Sequence, residues 1–261
     1  MSHKSFNPPK GWGSDLLSQF QSTAMENEFA TFVHAPEWQG MLCEVATILD
    51  SCSSYAMERL PKANDPALLL FVCAQSQYLA SVRSTAAGHC IAAYPTGRSA
   101  VESALYGWHL ANNPTASQNW HNKPEPDQKK ALRDWNEEFK FSSLARSLGK
   151  RINRDLEEWA KYLHQTAIDL GAHPNQNALY ANMEYEDRED GACLLKITHL
   201  HIWNDFSMST TKFTIETGMF VIRLFALSFH EANQQLDLNN SIDRLVKSLK
   251  YLQSLKTLET E

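Results

Sequence analysis

The chain has 261 residues, 43% of them apolar, and 24 Lys and Arg against 30 Asp and Glu give a net charge of −6. This length suffices for one hydrophobic core, and the acidic balance excludes a protein that coats nucleic acid with its whole surface. The longest apolar runs, Leu68 to Ala74 and Gly218 to Phe229 with Arg223 inside it, fall short of the ~20 residues that a membrane span needs.

The first 30 residues carry Pro8, Pro9 and Gly11 and no secretory apolar core, so residues 1–30 are read as a flexible lead-in. Residues 31–261 are expected to form a single helical domain, because no Gly/Ser-rich or Pro-rich linker interrupts them. Trp38, Leu42, Val45, Leu49, Cys52 and Tyr55 follow steps of three and four, which predicts a helix over 37–60 that Pro61 ends. Asp65 followed by Pro66 marks the next start, and that helix runs to about Arg83. A third covers His89 to Asn112, with Pro95 starting or kinking it.

Residues 115–150 are polar and are expected to hold two short helices, around Leu132 and Leu144. The basic window Lys140 to Arg154 is read as a solvated face, with a local basic patch for nucleic acid as the alternative. Ile152, Leu156, Trp159, Leu163, Ala167 and Leu170 define another helix, closed by Gly171 as a C-terminal cap. Two apolar stretches, Ala178 to Met183 and Cys193 to Thr198, flank an acidic turn and predict a β-hairpin laid against the helices. Thr210 to Ala232 is apolar on nearly every face and reads as the central buried helix. Leu238, Ile242, Leu245, Leu249 and Leu252 then form a narrow stripe on the last helix. The fold class is therefore all-α, a helical bundle with one small β-hairpin near 178–202, its core built by helices near 66–84, 89–112, 151–170 and 210–232.

Arg98, Glu102, Leu105 and His109 fall at i, i+4, i+7 and i+11, so a cation, an anion and an imidazole share one helical face. That face reads either as a structural ion pair or as a polar site that orients a ligand. His173 and Pro174 follow the Gly171 cap, with Tyr162, His164 and Asp169 upstream. A histidine just past a helix C-terminus is stabilised as the cation, which suits an acid or a phosphate donor, and a plain capping turn is the alternative. The five cysteines contain no C-x-x-C pair and are read as reduced core thiols, which places the chain in the cytoplasm. His199 and His201 alternate without a completing ligand set, so neither a metal nor a cofactor is expected.

Taken together, the Arg98-Ser-Ala-x-Glu102 helix and the later His173-Pro174 turn resemble an uncharacterised all-helical bacterial family. That family is similar to the higher-eukaryote and prokaryote nucleotide-binding superfamily. The resemblance covers residues 66–180 and implies an endoribonuclease or nucleotide binder of the toxin–antitoxin or phage-defence kind. The superfamily's usual mark is an Arg-x4–6-His element on one helix. Arg83 with His89 and Arg223 with His230 match that spacing here, and Leu224 stands where the superfamily usually has a polar residue.

Two functional expectations follow. The first is a non-enzymatic regulatory or interaction module that works as a homodimer or beside a protein partner, away from membranes. The second is a metal-independent endoribonuclease or nucleotide-binding protein, with RNA or a nucleotide as ligand. Its catalytic candidates are Arg98, Glu102, His173, Arg223 and His230, with Arg holding phosphate and His moving a proton.

Overall fold

Proline sets the start of three helices: Pro36 opens α2 (Pro36–Ala63), Pro66 opens α3 (Pro66–Ala86) and Pro114 opens α5 (Pro114–His121). The structure is a computed structural model that describes residues 8–63, 65–172, 176–187 and 193–259. Among these, twelve α-helices and one two-stranded hairpin form an all-α bundle with a small β-hairpin. No helix in them is long and apolar enough to cross a membrane.

Of the residues expected to be a lead-in, 16–30 are helical and 1–7 lie outside the described residues. Asp15 accepts from Ser18 N at 3.0 Å and caps α1 (Leu16–His34). The breakers Pro8, Pro9, Gly11 and Gly13 all precede that cap, so they do not interrupt the helix. Of the α1 side chains, only Ser18 is buried. Helix α2 continues through Pro61 to Ala63, because a proline in a last turn forfeits a single backbone bond, the one to the carbonyl four residues earlier.

Asp65 accepts from Ala67 N at 2.8 Å and starts α3. The chain then reverses at Gly88 into α4 (Cys90–Ala111). Gly88 has φ +83°, and a Cβ there would lie 2.3 Å from the His201 carbonyl oxygen, so this turn requires glycine twice over. Pro95 lies inside α4.

Three helices rather than two occupy the polar middle: α5, α6 (Lys129–Glu138) and α7 (Phe141–Arg151). The extra one is short, and it starts on Asn113, which accepts from Ala116 N at 3.2 Å. These helices pack around stacked Trp120 and Trp135 beside buried Phe139. Helix α8 (Arg154–Ala167) passes into a π-helical turn, Ile168–Ala172. Gly171 lies within that turn rather than acting as a simple cap, and a Cβ on it would come within 2.4 Å of the Ile91 carbonyl oxygen.

The hairpin sits one element later than its apolar pattern suggested. Gln176–Tyr180 forms the short α9, and β1 (Met183–Asp187) uses the acidic residues expected in the turn. It pairs antiparallel with β2 (Cys193–Ile197). Every β2 residue is exposed, so the hairpin projects from the helices rather than lying flat on them.

The central helix is α10 (Asp205–Ser228), which buries fifteen of its 24 residues and packs against α2, α3, α4, α8 and the last helix. It begins with a capping box between Asn204 and Ser207. It ends at Ser228, before the expected Ala232. Phe229 leaves helical geometry (φ −128°, ψ 85°), and the six-residue α11 (His230–Gln235) follows. Helix α12 (Leu238–Glu259) buries its whole leucine stripe.

Hydroxyls thread the α3–α4–α10 core. Thr214 Oγ1 lies 2.9 Å from Thr85 Oγ1 and 3.3 Å from Ser81 Oγ, and Ser81 donates to the Ala93 carbonyl at 2.9 Å. These buried polar groups are satisfied by one another, as a low-dielectric interior demands. All five cysteines are free, but only Cys52 and Cys90 are buried. Cys43, Cys73 and Cys193 face water, contrary to the core placement expected of all five.

Candidate functional site

Arg98 and Glu102 sit one turn apart on α4, and Arg98 Nε donates to Glu102 Oε1 at 2.7 Å. A third residue joins them from α8: His164 Nε2 lies 3.1 Å from the same oxygen. The His164 ring stacks on Phe141 of α7, with centroids 3.7 Å apart and planes 14° from parallel, which fixes its orientation. Burial alone would raise the Glu102 carboxyl, but the hydrogen bonds from His164 and Arg98 outweigh it and hold the group below the usual carboxylate range. Arg98 and Glu102 keep 26% and 33% of their side chains exposed, so the pair is half-buried rather than interior.

This arrangement positions one imidazole beside an ionised carboxylate. His173, the expected third member of the group, lies outside the described residues. His109, two turns along the same face, is separate from the trio. Its ring is buried and lies 3.6 Å from Glu138, and burial pushes its pKa down against the pull of that carboxylate.

Arg223 and His230 do not share a helix, because α10 has ended between them. Arg223 Nη1 donates to Asn239 Oδ1 at 2.7 Å, whereas exposed His230 meets Gln234 at 3.1 Å. His199 and His201 do not form a strand pair either, since β2 stops at Ile197. His201 is buried and held 2.7 Å from Asn182 Oδ1, while His199 is exposed.

The other Arg/His match does meet in space. Arg83 in the last turn of α3 and His89 at the start of α4 border one cleft of about 410 Å³, roofed by Trp12, Leu17, Phe20 and Met25. Glu28 pairs with Arg83 at 3.4 Å, and Phe20 meets the His89 ring edge-on at 5.0 Å. Burial lowers the His89 pKa, and Glu28 opposes this only in part.

The roof of that cleft is α1, which is attached in an unusual way. Asn27 Nδ2 donates to the Ala87 carbonyl at 3.2 Å and Thr31 Oγ1 to the Ala86 carbonyl at 3.1 Å. Both acceptors lie at the C-terminus of α3, where carbonyls have no intrahelical partner. Beside these polar anchors and Phe20, α1 leaves an apolar stripe exposed, with Met25 at the rim of the cleft. Met25, Phe29, Phe32 and Val33, at i, i+4, i+7 and i+8, expose 46, 67, 61 and 65% of their surfaces. Sequence reading missed this surface. The spacing was visible, but which face an amphipathic helix buries is decided by its neighbours.

Comparisons with family models, with curated proteins and with solved structures found no match in any of the three.

Proposed function

We propose that this chain is a helical interaction module, regulatory in character, that works by docking another protein surface on α1. The observation that carries the reading is the outward stripe Met25–Phe29–Phe32–Val33 on a helix anchored through its polar residues. Burying a Phe, Met or Val side chain is worth about 1.5–3 kcal/mol, so leaving four together in water forgoes several kcal/mol that a partner would recover. Five free thiols suit a reducing compartment and support the cytoplasm as the place of action.

The test compares wild type with the Phe29→Glu/Phe32→Glu variant as immobilised baits in extract of the native cells, with circular dichroism to show that both are folded. A defined partner, or further copies of this chain, retained by the wild type and lost from the variant supports the reading. Equal retention by both baits, or none by either, removes it.

A second reading is favoured by the cleft at Arg83 and His89: a metal-independent endoribonuclease or nucleotide-binding protein of the toxin–antitoxin or phage-defence kind. Arg83 supplies a guanidinium for phosphate once Glu28 is displaced, and His89, kept neutral by burial, is suited to accept a proton. Incubating the protein with single-stranded and structured RNA in EDTA tests it. Cleavage lost in His89→Ala and kept in His230→Ala supports this reading, and no cleavage by the wild type ends it.

A further inference from the structure

The hairpin has two unlike faces and two unlike edges. Its register, Met183↔Ile197, Tyr185↔Leu195 and Asp187↔Cys193, gathers Met183, Tyr185, Cys193, Leu195 and Ile197 on one face, with Asp187 the acidic residue at its end, and Glu186, Leu194 and Lys196 on the other. The apolar face is open to water: Tyr185, Leu195 and Ile197 expose 69, 42 and 53% of their surfaces. A two-stranded hairpin of this size is marginal alone in water, and its usual remedy is another strand.

The edges decide which strand that is. The β1 edge reads Met-Glu-Tyr-Glu-Asp, with three carboxylates in five residues, and charge of this kind is what natural edge strands use to refuse pairing. The β2 edge reads Cys-Leu-Leu-Lys-Ile, with one charge, and among the described residues the sheet stops there. This strand is self-complementary. Folded antiparallel on a second β2 about a two-fold axis at Leu195, it sets Leu195 opposite Leu195, Cys193 opposite Ile197 and Leu194 opposite Lys196. No like charges then face each other. The same operation on β1, centred on Tyr185, would set Glu184 opposite Glu186 twice, which is destabilising. Pairing β1 with the β2 of another copy is head-to-tail and leaves one edge open at each end of the pair.

We infer that β2 pairs with the β2 of a second copy of this chain, closing a four-stranded antiparallel sheet whose two central strands carry the apolar Cys193, Leu195 and Ile197 on one face, with an acidic strand at each outer edge. The inference rests on the interaction-module reading and names the occupant of a second surface within it.

Site-specific cross-linking of the full chain tests the register. In a background carrying Cys43→Ser, Cys73→Ser and Cys193→Ser, which removes the exposed thiols, Leu195→Cys is compared with Glu186→Cys using a short thiol-to-thiol bismaleimide. Across the two-fold axis the first pair of thiols lies about one strand spacing apart, whereas the second pair is separated by three spacings and an offset along the strand, more than about 14 Å. Most of the Leu195→Cys protein is expected as covalent dimer, at least tenfold more than of Glu186→Cys. Equal cross-linking of the two, or none of Leu195→Cys, overturns the inference. Sedimentation of the unlabelled wild type supplies the independent check: a dimer that Leu195→Lys converts to monomer supports it, and a monomeric wild type overturns it. Should the inference fail while enrichment that depends on Phe29 and Phe32 persists, the interaction reading stands without it.

Discussion

His164 Nε2 and Glu102 Oε1 lie 3.1 Å apart although 62 residues separate them in the chain. Glu102 accepts from Arg98 as well, so one carboxylate ties the middle of α4 to α8. A carboxylate with two donors and a third of its side chain in water falls between a surface pair and a buried one. Glu102→Gln is therefore expected to lower stability at pH 7 by about 1–2 kcal/mol. The Glu102 carboxyl is depressed in the folded state, so its contribution is present above the unfolded value near 4.5 and is lost as pH falls through the folded value. Urea denaturation of both proteins should show a gap at neutral pH that closes below about pH 4.5. A gap independent of pH would mean that the ionised pairing is not its source.

The helices of the core were readable because each carries a local signal. The Asp65-Pro66 start, the stop at Asn112 and the leucine stripe of α12 all lie within a turn or two of what they determine. The candidate site was half readable. Arg98 with Glu102 is an i, i+4 pair on one helix, but no spacing rule points from Glu102 to a histidine on another element. The β1 strand was misplaced because its alternation of Glu184, Tyr185 and Glu186 is acidic, and strand signals are sought in apolar runs. The break at Phe229 was hidden because the apolar run of α10 continues up to it and no Gly or Pro marks the stop.

Gly218 and Gly40 make a matched pair. A Cβ on Gly218 would lie 2.3 Å from Val45 Cγ1 and 2.6 Å from the buried Tyr78 ring, whereas Gly40 in α2 has open space around it. Gly218→Ala is expected to cost about 1–3 kcal/mol through overpacking. Gly40→Ala is expected to gain up to about 1 kcal/mol from helix propensity. Thermal unfolding of the two variants should move in opposite directions, and a shift of the same sign would show that close packing of α10 on α2 and α3 is not what fixes Gly218.

Thr214 is the hub of the buried hydroxyls, within reach of Ser81, Thr85 and the Thr210 carbonyl. Thr214→Val keeps the shape and removes the hub, so the buried Thr85 and Ser81 each lose a partner. The expected cost is about 1–3 kcal/mol. Denaturant unfolding measures it, and a change under about 0.5 kcal/mol would show that the network adjusts freely.

Toward its C-terminal end, helix α1 is expected to be held by polar anchors and not by Phe29 and Phe32. Phe29→Glu/Phe32→Glu should leave global stability within about 0.5 kcal/mol, because both rings already face water. Asn27→Ala/Thr31→Ala removes two bonds to α3, each worth about 1 kcal/mol. Limited proteolysis should therefore cut within 16–34 faster in the second variant than in the first. The reverse order would mean that the stripe is a packing surface of the chain itself.

The most direct test of the docking surface replaces Phe29 with a photo-reactive phenylalanine analogue in the native cells, with the same analogue at exposed Lys130 as the control. One discrete adduct from position 29 and none from position 130 is the outcome expected of an interaction module that docks on α1. Position 29 giving no adduct, or the same diffuse adducts as position 130, would contradict it.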